Sequence, residues 1–457
     1  MAEVCILGTG YVGLVTGVGL AHLGHQVVCV DIDEKKIDTL SAGRLPFYED
    51  GLLELVQNGI YNGRLSFTTS LSKGLRKADY VFVAVATPPK ESGEPDLSQL
   101  FSAVEEIAEL SNGQLVVIIK STVPVGCFKE LGTILSQEEL TLVCCPEFLA
   151  EGAAVQDFFH PSRTIVGADD EKVARQVVAL FDGVTGPRIY CDIETAQLIK
   201  YASNSFLASR IAFINELSRM CEYFGVDVRN VESGILLDPR FGNTYLQSGI
   251  GFAGPCLPKD LAALVHTAKT VGHDAIVCKA IEAQNQQQLD HAVKQICSLV
   301  ETGDKIAVFG ISFKAGTSDV RNSFSVEIIK RLEARGYNVV ASDPVANDYA
   351  ADYLKQLGIQ VMENPWSTAR GSAAQIFLTG WPQYRALDMN RLFKVVKSPR
   401  IFDGPGIFDQ KVVEEIGFQY LGIGRVGTSR RLVIVEKKNK FTEMAVGGVK
   451  RVKYFVV

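Results

Sequence analysis

Residues 8–13 read GTGYVG, at the end of the apolar run VCILG (4–8) and at the start of an amphipathic stretch (11–24). No other short stretch of the 457 residues restricts the fold so strongly. Strand, glycine turn and helix in immediate succession begin a βαβ unit. Each glycine has a steric duty in it: a tight turn at Gly8, close backbone approach to a pyrophosphate at Gly10, helix–strand packing at Gly13. The N–H groups that open the helix, at Tyr11 and Val12, are free to meet phosphate oxygens. A second apolar run, VVCVD (27–31), ends on Asp31, eighteen residues after Gly13. A carboxylate there accepts hydrogen bonds from the adenine ribose hydroxyls and repels a 2′-phosphate, so the pattern calls for NAD rather than NADP. Lys36 is placed either to contact that ribose or to be an ordinary surface lysine.

Further apolar runs at YVFVAV (80–85), LVVIIK (115–120) and LTLVCC (140–145) alternate with amphipathic stretches at 97–110 and 125–136. This is the pattern of a buried parallel sheet. A second series begins near 305, with KIAVFG (305–310), YNVVASD (337–343), AAQIFLTG (373–380) and RIFDG (400–404), and with helical patterns at 322–335 and 347–357. Between the two, residues 194–224 contain neither Pro nor Gly, and Ile199, Phe206, Ile211, Ile214 and Leu217 recur at helical spacing. Helices are also expected near 258–271 and 275–300. The sequence therefore predicts an α/β chain: two Rossmann-like α/β domains joined by a central all-helical segment with a long helix. The expected divisions are 1–193 (NAD-binding), 194–302 (central, a natural place for subunit contacts), 303–423 (second Rossmann-like domain) and 424–457. The last piece holds nine Lys/Arg against two Glu, a basic extension that contacts the acidic body or stands apart from it.

Composition excludes several classes. Apolar content is 47%, charged content 21% and net charge −6, which is not the footprint of a nucleic-acid binder. No apolar run approaches the ~20 residues of a membrane helix. The opening MAEVCILGTG has no basic leader, so a cytoplasmic protein with reduced cysteines is expected. Its ten cysteines and six histidines include no CxxC pair and no HxxxH or HxH cluster. Cys144 and Cys145 are adjacent without a second pair, so no metal site is expected.

Several polar residues sit where a hydride-transfer enzyme needs them. AVATPPK places Thr87, and KSTVPVG places Ser121 and Thr122, just past two strands. Ligands bind at such strand ends, although these residues also suit helix capping. CPEFLAEG (145–152) places Glu147 and Glu151 four apart. KYASN places Lys200 and Asn204 on one helix face, which by itself also suits a solvated stripe. GFAGPCLPKD (251–260) sets Cys256, Lys259 and Asp260 among glycines and prolines, where the cysteine is structural, metal-bound or nucleophilic.

Together, GTGYVG, STVPVG, PEFLAEG, KYASNSFLA, DPRFG, GFAGPCLPKD and FGISFKAGTSDVR resemble, in order and spacing, the UDP-glucose/GDP-mannose 6-dehydrogenase family over about residues 1–420. Within it the PKD after the cysteine is most similar to the branch acting on UDP-glucose. The resemblance implies two NAD-dependent oxidations of a C6 alcohol to the acid, with Cys256 as nucleophile through a thiohemiacetal and a thioester. It implies oxyanion stabilisation by Lys200 and Asn204, and water activation or positioning by Asp260 and Glu147. Cofactor contacts are implied for Gly8, Gly10, Tyr11, Val12, Gly13, Asp31, Lys36, Thr87, Ser121, Thr122, Glu151, Lys259 and Arg321. Substrate contacts are implied for Glu147, Phe148, Leu149, Lys200, Asn204, Tyr245, Gln247, Ser248, Gly249, Gly251, Phe252 and Lys314, and for Arg240 crossing to the partner of a homodimer. A thiolate requires a cationic or helix-terminal neighbour.

The chain departs from the family pattern at Ala253 and Pro255 (usually Gly and Ser), at Arg210 (often Lys) and at Cys145 (often Asn). It also departs at Pro405–Gly406, where many relatives carry an arginine directly after the Asp–Gly pair. These departures bear on the nucleotide preference rather than the chemistry. They keep open a sister enzyme acting on GDP-mannose or another UDP-hexose, and a nucleotide-binding scaffold or regulator with impaired turnover.

Overall fold

The computed structural model describes residues 1–426 apart from 112–113, 137–139 and 243. Beyond residue 426 the basic extension lies outside the described residues. The N-terminal sheet runs β1 (Glu3–Leu7), β2 (Gln26–Val30), β3 (Leu65–Thr68), β4 (Tyr80–Val83), β5 (Val116–Ile119), β6 (Thr141–Cys144), β7 (Thr164–Gly167) and β8 (Arg188–Cys191). Its spatial order is β3-β2-β1-β4-β5-β6-β7-β8. The pairings are parallel except β6 with β7, which meet antiparallel at Cys144 and Gly167. Helices cover both faces. One core gathers Ile6, Leu14, Val18, Phe82 and Ile118, and the other Cys5, Val83, Leu100, Val117 and Ile119. Alternate residues of one strand thus point to opposite, equally buried sides.

The C-terminal sheet has β9 (Lys305–Phe309), β10 (Asn338–Ser342), β11 (Ala374–Phe377), β12 (Arg400–Asp403) and β13 (Gln419–Gly422) in the order β10-β9-β11-β12-β13, all parallel. The two-Rossmann architecture expected from sequence is present. The sequence reading did not include β3, β7, β8 or β13, each only four residues long. The helix expected at 347–357 is two short ones, Ala346–Tyr349 and Ala351–Gln356.

Between the sheets, one helix runs from Ile193 to Phe224, about 48 Å at 1.5 Å per residue. Asp192 caps its start by accepting from Thr195 N at 2.7 Å, and Gly225, at φ 66°, ends it in the left-handed region. Helices Leu257–Thr270 and Ile276–Cys297 pack against it. A further helix, Val228–Leu236, was not anticipated. The central segment is not wholly helical. Residues 237–256, rich in Gly and Pro, contain no described helix or strand.

Both strand orders reverse once, between β1 and β4 and between β9 and β11. Those are the crevices where α/β sheets bind ligands. The loop after β9 reaches the loops after β1 and β6: Tyr11 Oη lies 2.9 Å from Thr317 Oγ1, and Thr317 Oγ1 donates to Glu151 Oε2 at 3.2 Å. The carboxyl ends of the two sheets therefore meet.

Candidate active site

The nucleotide cradle begins at Gly8, whose φ is +96°. A Cβ there would lie 2.6 Å from Ala84 O, and one on Gly13 would lie 1.8 Å from Gly8 O. A Cβ on Gly10 would meet nothing within 4 Å, so that glycine faces open space that a side chain would fill. Asp31, directly after β2, accepts through Oδ2 from Thr9 N (2.8 Å), Thr9 Oγ1 (2.7 Å) and Lys36 Nζ (2.9 Å). Among the described residues its Oδ1 accepts only Asp33 N, at 3.1 Å, and keeps a lone pair for a ribose hydroxyl. Burial would raise its pKa, but Lys36 and the Thr9 donors outweigh that and hold it low. Lys36 is thus paired with Asp31. These residues fit an NAD molecule. The Tyr11 ring is turned to Phe47 (centroids 3.8 Å apart) and its hydroxyl to Thr317, which leaves only its backbone for phosphate. Thr87 Oγ1 donates to Thr122 O at 3.1 Å and Ser121 Oγ to Val85 O at 2.6 Å, tying together the loops after β4 and β5.

Glu147, three residues past β6, and Lys200, on the long helix, form an ion pair of 2.8 Å with side chains 7% and 4% exposed. Glu147 also accepts from Leu149 N at 2.7 Å. Burial opposes both charges. For Glu147 the field of Lys200 wins and lowers its pKa; for Lys200, Glu147 and then Asp260 win and raise it. One turn along the helix, Asn204 Nδ2 donates to Asp260 Oδ2 at 2.5 Å, and Lys259 Nζ sits 2.6 Å from Asp260 Oδ1. The i,i+4 pair Lys200/Asn204 is therefore buried, not a solvated stripe.

Cys256 is the N-cap residue of helix Leu257–Thr270 and is half-buried. Both features expected to favour a thiolate are present, the helix start and the Lys200 charge. They do not prevail in the free chain: burial, then Glu147, push the thiol up to about 12. Burial and Glu147 therefore favour the neutral thiol at Cys256.

Segment 246–254 is held by side chains the sequence reading overlooked. Asn215 Oδ1 accepts Gly249 N (2.8 Å), Gln288 Nε2 donates to Gly249 O (2.7 Å), and Asn285 bonds both the N and the O of Phe252 at 2.8 Å. Ser248 N donates to Glu232 Oε1 at 2.7 Å. Gly251 and Gly254 have positive φ, and a Cβ on either would strike Asn285 or the Phe313 ring at 2.6 Å. Ala253, where relatives have glycine, is not at a positive-φ position. Gln247 is exposed, and Tyr245 is exposed in the left-handed region at φ 60°.

Glu151 lies between Thr317 and Arg321, the latter 3.7 Å away. Burial and the neighbouring Asp319 push Glu151 up to about 8. Arg321 is held chiefly by Asp319 (2.9 Å). Burial lowers Lys314. Glu49, buried and absent from the sequence reading, accepts Gly152 N (2.6 Å) and Ala154 N (2.7 Å) and fixes the loop carrying Glu151. At Pro405–Gly406 no arginine is in the loop, yet Arg229, from helix Val228–Leu236, donates to Gly406 O. Arg240 lies apart from this group, its side chain 82% exposed and paired with Asp238.

Three consecutive family models match the chain: the NAD binding domain of the UDP-glucose/GDP-mannose dehydrogenase family over residues 2–185, its central domain over 194–287 and its UDP binding domain over 307–410. The chain belongs to that family. It is an NAD-dependent nucleotide-sugar dehydrogenase by class, with NAD as cofactor. It is 39% identical to a UDP-glucose 6-dehydrogenase of Bacillus subtilis, covering 93% of this chain and 98% of that one. It is 38% identical to a UDP-glucose 6-dehydrogenase of Rhizobium meliloti, covering 93% and 99%. A UDP-glucose dehydrogenase structure from Pyrobaculum islandicum superposes with a TM-score of 0.84 at 34% identity, covering 93% and 98%. Family membership accounts for the cradle at Gly8–Gly13 and for the second, nucleotide-binding sheet. Among the described residues, no helix is long and apolar enough to cross a membrane.

Proposed function

We propose that this dehydrogenase oxidises the C6 alcohol of UDP-glucose twice, giving UDP-glucuronate through a thiohemiacetal and a thioester on Cys256. The observation that carries the reading is the placement of Cys256 at a helix start, within the electrostatic field of the buried Lys200–Glu147 pair and of Asp260, which Asn204 holds. NAD⁺, when bound, supplies the hydride acceptor for each oxidation. As the first hydride leaves C6, the hydroxyl proton passes to water held by Asp260 or Glu147. The Cys256 thiol then adds across the aldehyde: sulfur bonds to carbon and the thiol proton goes to oxygen, with Lys200 and Asn204 stabilising that oxygen. The thiohemiacetal loses its carbon hydrogen as hydride and its hydroxyl proton to solvent, leaving the thioester. Water positioned by Asp260 or Glu147 adds to the acyl carbon, the C–S bond breaks and the thiol regains its proton. Cofactor contacts fall to Gly8–Gly13, Asp31, Thr87, Ser121, Thr122, Glu151, Lys259 and Arg321. Phe148, Leu149, the 245–252 segment and Lys314 hold the sugar nucleotide.

The functional divisions fall at 193/194 and 302/303, and the protein works as a cytoplasmic homodimer. Phe206, Phe213 and Met220 are seven residues apart on the long helix and 64%, 55% and 44% exposed, a stripe that a second copy would cover. Arg240 then reaches the partner's substrate. The relatives' names support UDP-glucose. The arginine-free loop at Pro405–Gly406 favours testing GDP-mannose and other UDP-hexoses beside it. The deciding experiment is stoichiometric: two NADH per UDP-glucose and an acidic product are expected. One NADH and a neutral carbonyl product would refute the covalent route, and turnover only with another sugar nucleotide would refute the substrate.

A further inference from the structure

Beside the 145–149 stretch lies a cavity of about 260 Å³ that shares Glu147, Phe148 and Leu149 with the proposed reaction site, while none of Cys256, Lys200, Asn204 or the 245–252 segment lines it. Its walls include Phe148, Phe158, Phe181 and Val184, and two cations face it, Lys120 and Arg163. Lys120 is 7% exposed. Among the described residues its ammonium donates to Cys145 O at 3.4 Å and Cys145 Sγ at 3.9 Å and lies 5.8 Å from the Phe181 ring centroid, long contacts for a group with a full charge and three N–H donors. Arg163 donates to the hydroxyls of Ser162 (3.0 Å) and Ser203 (2.8 Å) and stacks over Phe148 at 3.9 Å. Among the described residues neither cation makes an ion pair. The two carboxylates at the wall are committed elsewhere, Glu147 to Lys200 and Leu149 N, Asp157 to Ala150 N at 2.8 Å.

A buried ammonium with no carboxylate within ion-pair distance among the described residues is costly, and an anion entering the cavity would relieve that cost. The phenyl and valyl walls suit an apolar body rather than a hydrated inorganic ion, and the guanidinium fork suits a planar carboxylate. We propose that this cavity is a second ligand site, taking a small organic carboxylate whose head group is held by Lys120 and Arg163 and whose apolar body lies against the phenylalanines. The site is coupled to the reaction centre. Lys120 holds the carbonyl of Cys145, two residues before Glu147, and its charge helps to keep Glu147 ionised. An occupant that draws Lys120 away loosens that stretch and slows turnover even when the sugar nucleotide is saturating.

Benzoate is a suitable probe, with benzamide as its uncharged counterpart and inorganic phosphate as an anion without an apolar body. In thermal unfolding of the full chain, benzoate should raise the transition temperature saturably, as ligand binding to the folded state requires. Benzamide and phosphate at the same concentrations should not. Lys120→Met and Arg163→Gln should each abolish the benzoate shift; should the first fail to fold, the second, on a different loop, decides. No benzoate shift, an equal shift with benzamide or phosphate, or a shift that survives the substitutions would overturn the proposal. This readout needs no turnover, so an error in the assigned sugar nucleotide would leave it intact. Where UDP-glucose is turned over, benzoate should lower the maximal rate at saturating substrate, and a purely competitive pattern would refute the coupling.

Discussion

Replacing Lys200 by Met should reveal how the site keeps a charge it cannot solvate. Glu147 would be left buried, with Leu149 N as its only direct donor among the described residues. Breaking a buried ion pair from one side costs about 3–5 kcal/mol. The orphaned carboxyl can limit that cost by taking up a proton. From an ordinary pKa of ~4.3, protonation at pH 7 costs ~2.7 × 1.36, or about 3.7 kcal/mol, so the expected loss is 3–4 kcal/mol. The limit has a signature. In the wild type Glu147 is depressed, so its contribution is fully present above the ordinary carboxylate range and is lost only as pH falls through its lowered pKa. In the variant the same group is raised, so stability falls as pH rises above ~4.3. The deficit should therefore shrink by about 1.36 kcal/mol for each pH unit below neutrality. Adding Glu147→Gln should remove the slope and cut the deficit to about 1–3 kcal/mol, the cost of a buried amide short of an acceptor. Denaturant unfolding followed by far-UV circular dichroism across mildly acidic to neutral pH measures this. Tryptophan fluorescence would not, because Trp366 and Trp381 both lie in the C-terminal part of the chain. Turnover should fall at least about 100-fold in both variants. A deficit independent of pH, or a double variant as unstable as the single, would refute the account of the pair.

Cys256→Ser should block acid formation while NAD⁺ binding, followed by cofactor fluorescence quenching, is unchanged; normal acid production would exclude the covalent route. Asp31→Ala should weaken NAD⁺ and narrow the preference over NADP⁺ by at least about tenfold, given about 1.5–3 kcal/mol for charged hydrogen bonds, as read from the two kcat/KM values. Glu151, raised to about 8, favours the folded state most below the ordinary carboxylate range. That advantage is lost as pH rises through about 8, so Glu151→Gln should flatten the thermal stability profile there, and a profile identical to wild type would contradict it. Phe213→Glu should turn a dimer into a monomer by light scattering. Mixing an Arg240→Ala chain with a Cys256→Ala chain should restore about a quarter of the sites if Arg240 serves its partner, an assay that reads zero if it serves its own site.

What the sequence disclosed and what it withheld divide along physical lines. GTGYVG was legible because much of its constraint is local: Gly8 sits at a positive φ, and a Cβ on Gly13 would collide with the carbonyl of Gly8 one turn before it. The long helix was legible because periodicity without Gly or Pro is also local. Strands β7 and β8 were not: TIVG offers only two large apolar residues in succession, and RIYC is a half-exposed edge strand without a long apolar run. Glu49 was invisible for a different reason. Its partners are backbone N–H groups more than a hundred residues away, and a backbone donor has no residue type to recognise. Arg229 belongs to the same class, reaching Gly406 across 177 residues. It stands at the loop where the sequence suggested that a cation was missing, so a substitution at Pro405 cannot be read without the helix opposite it. The acidity of Cys256 is withheld most completely. A helix start and a nearby lysine, both readable, argue for a thiolate, while burial and Glu147 argue against it and prevail. The four influences act on one sulfur with opposite signs, so only their distances and their exposure to water decide the outcome. A sequence records that the charges are present, not how deeply they are buried.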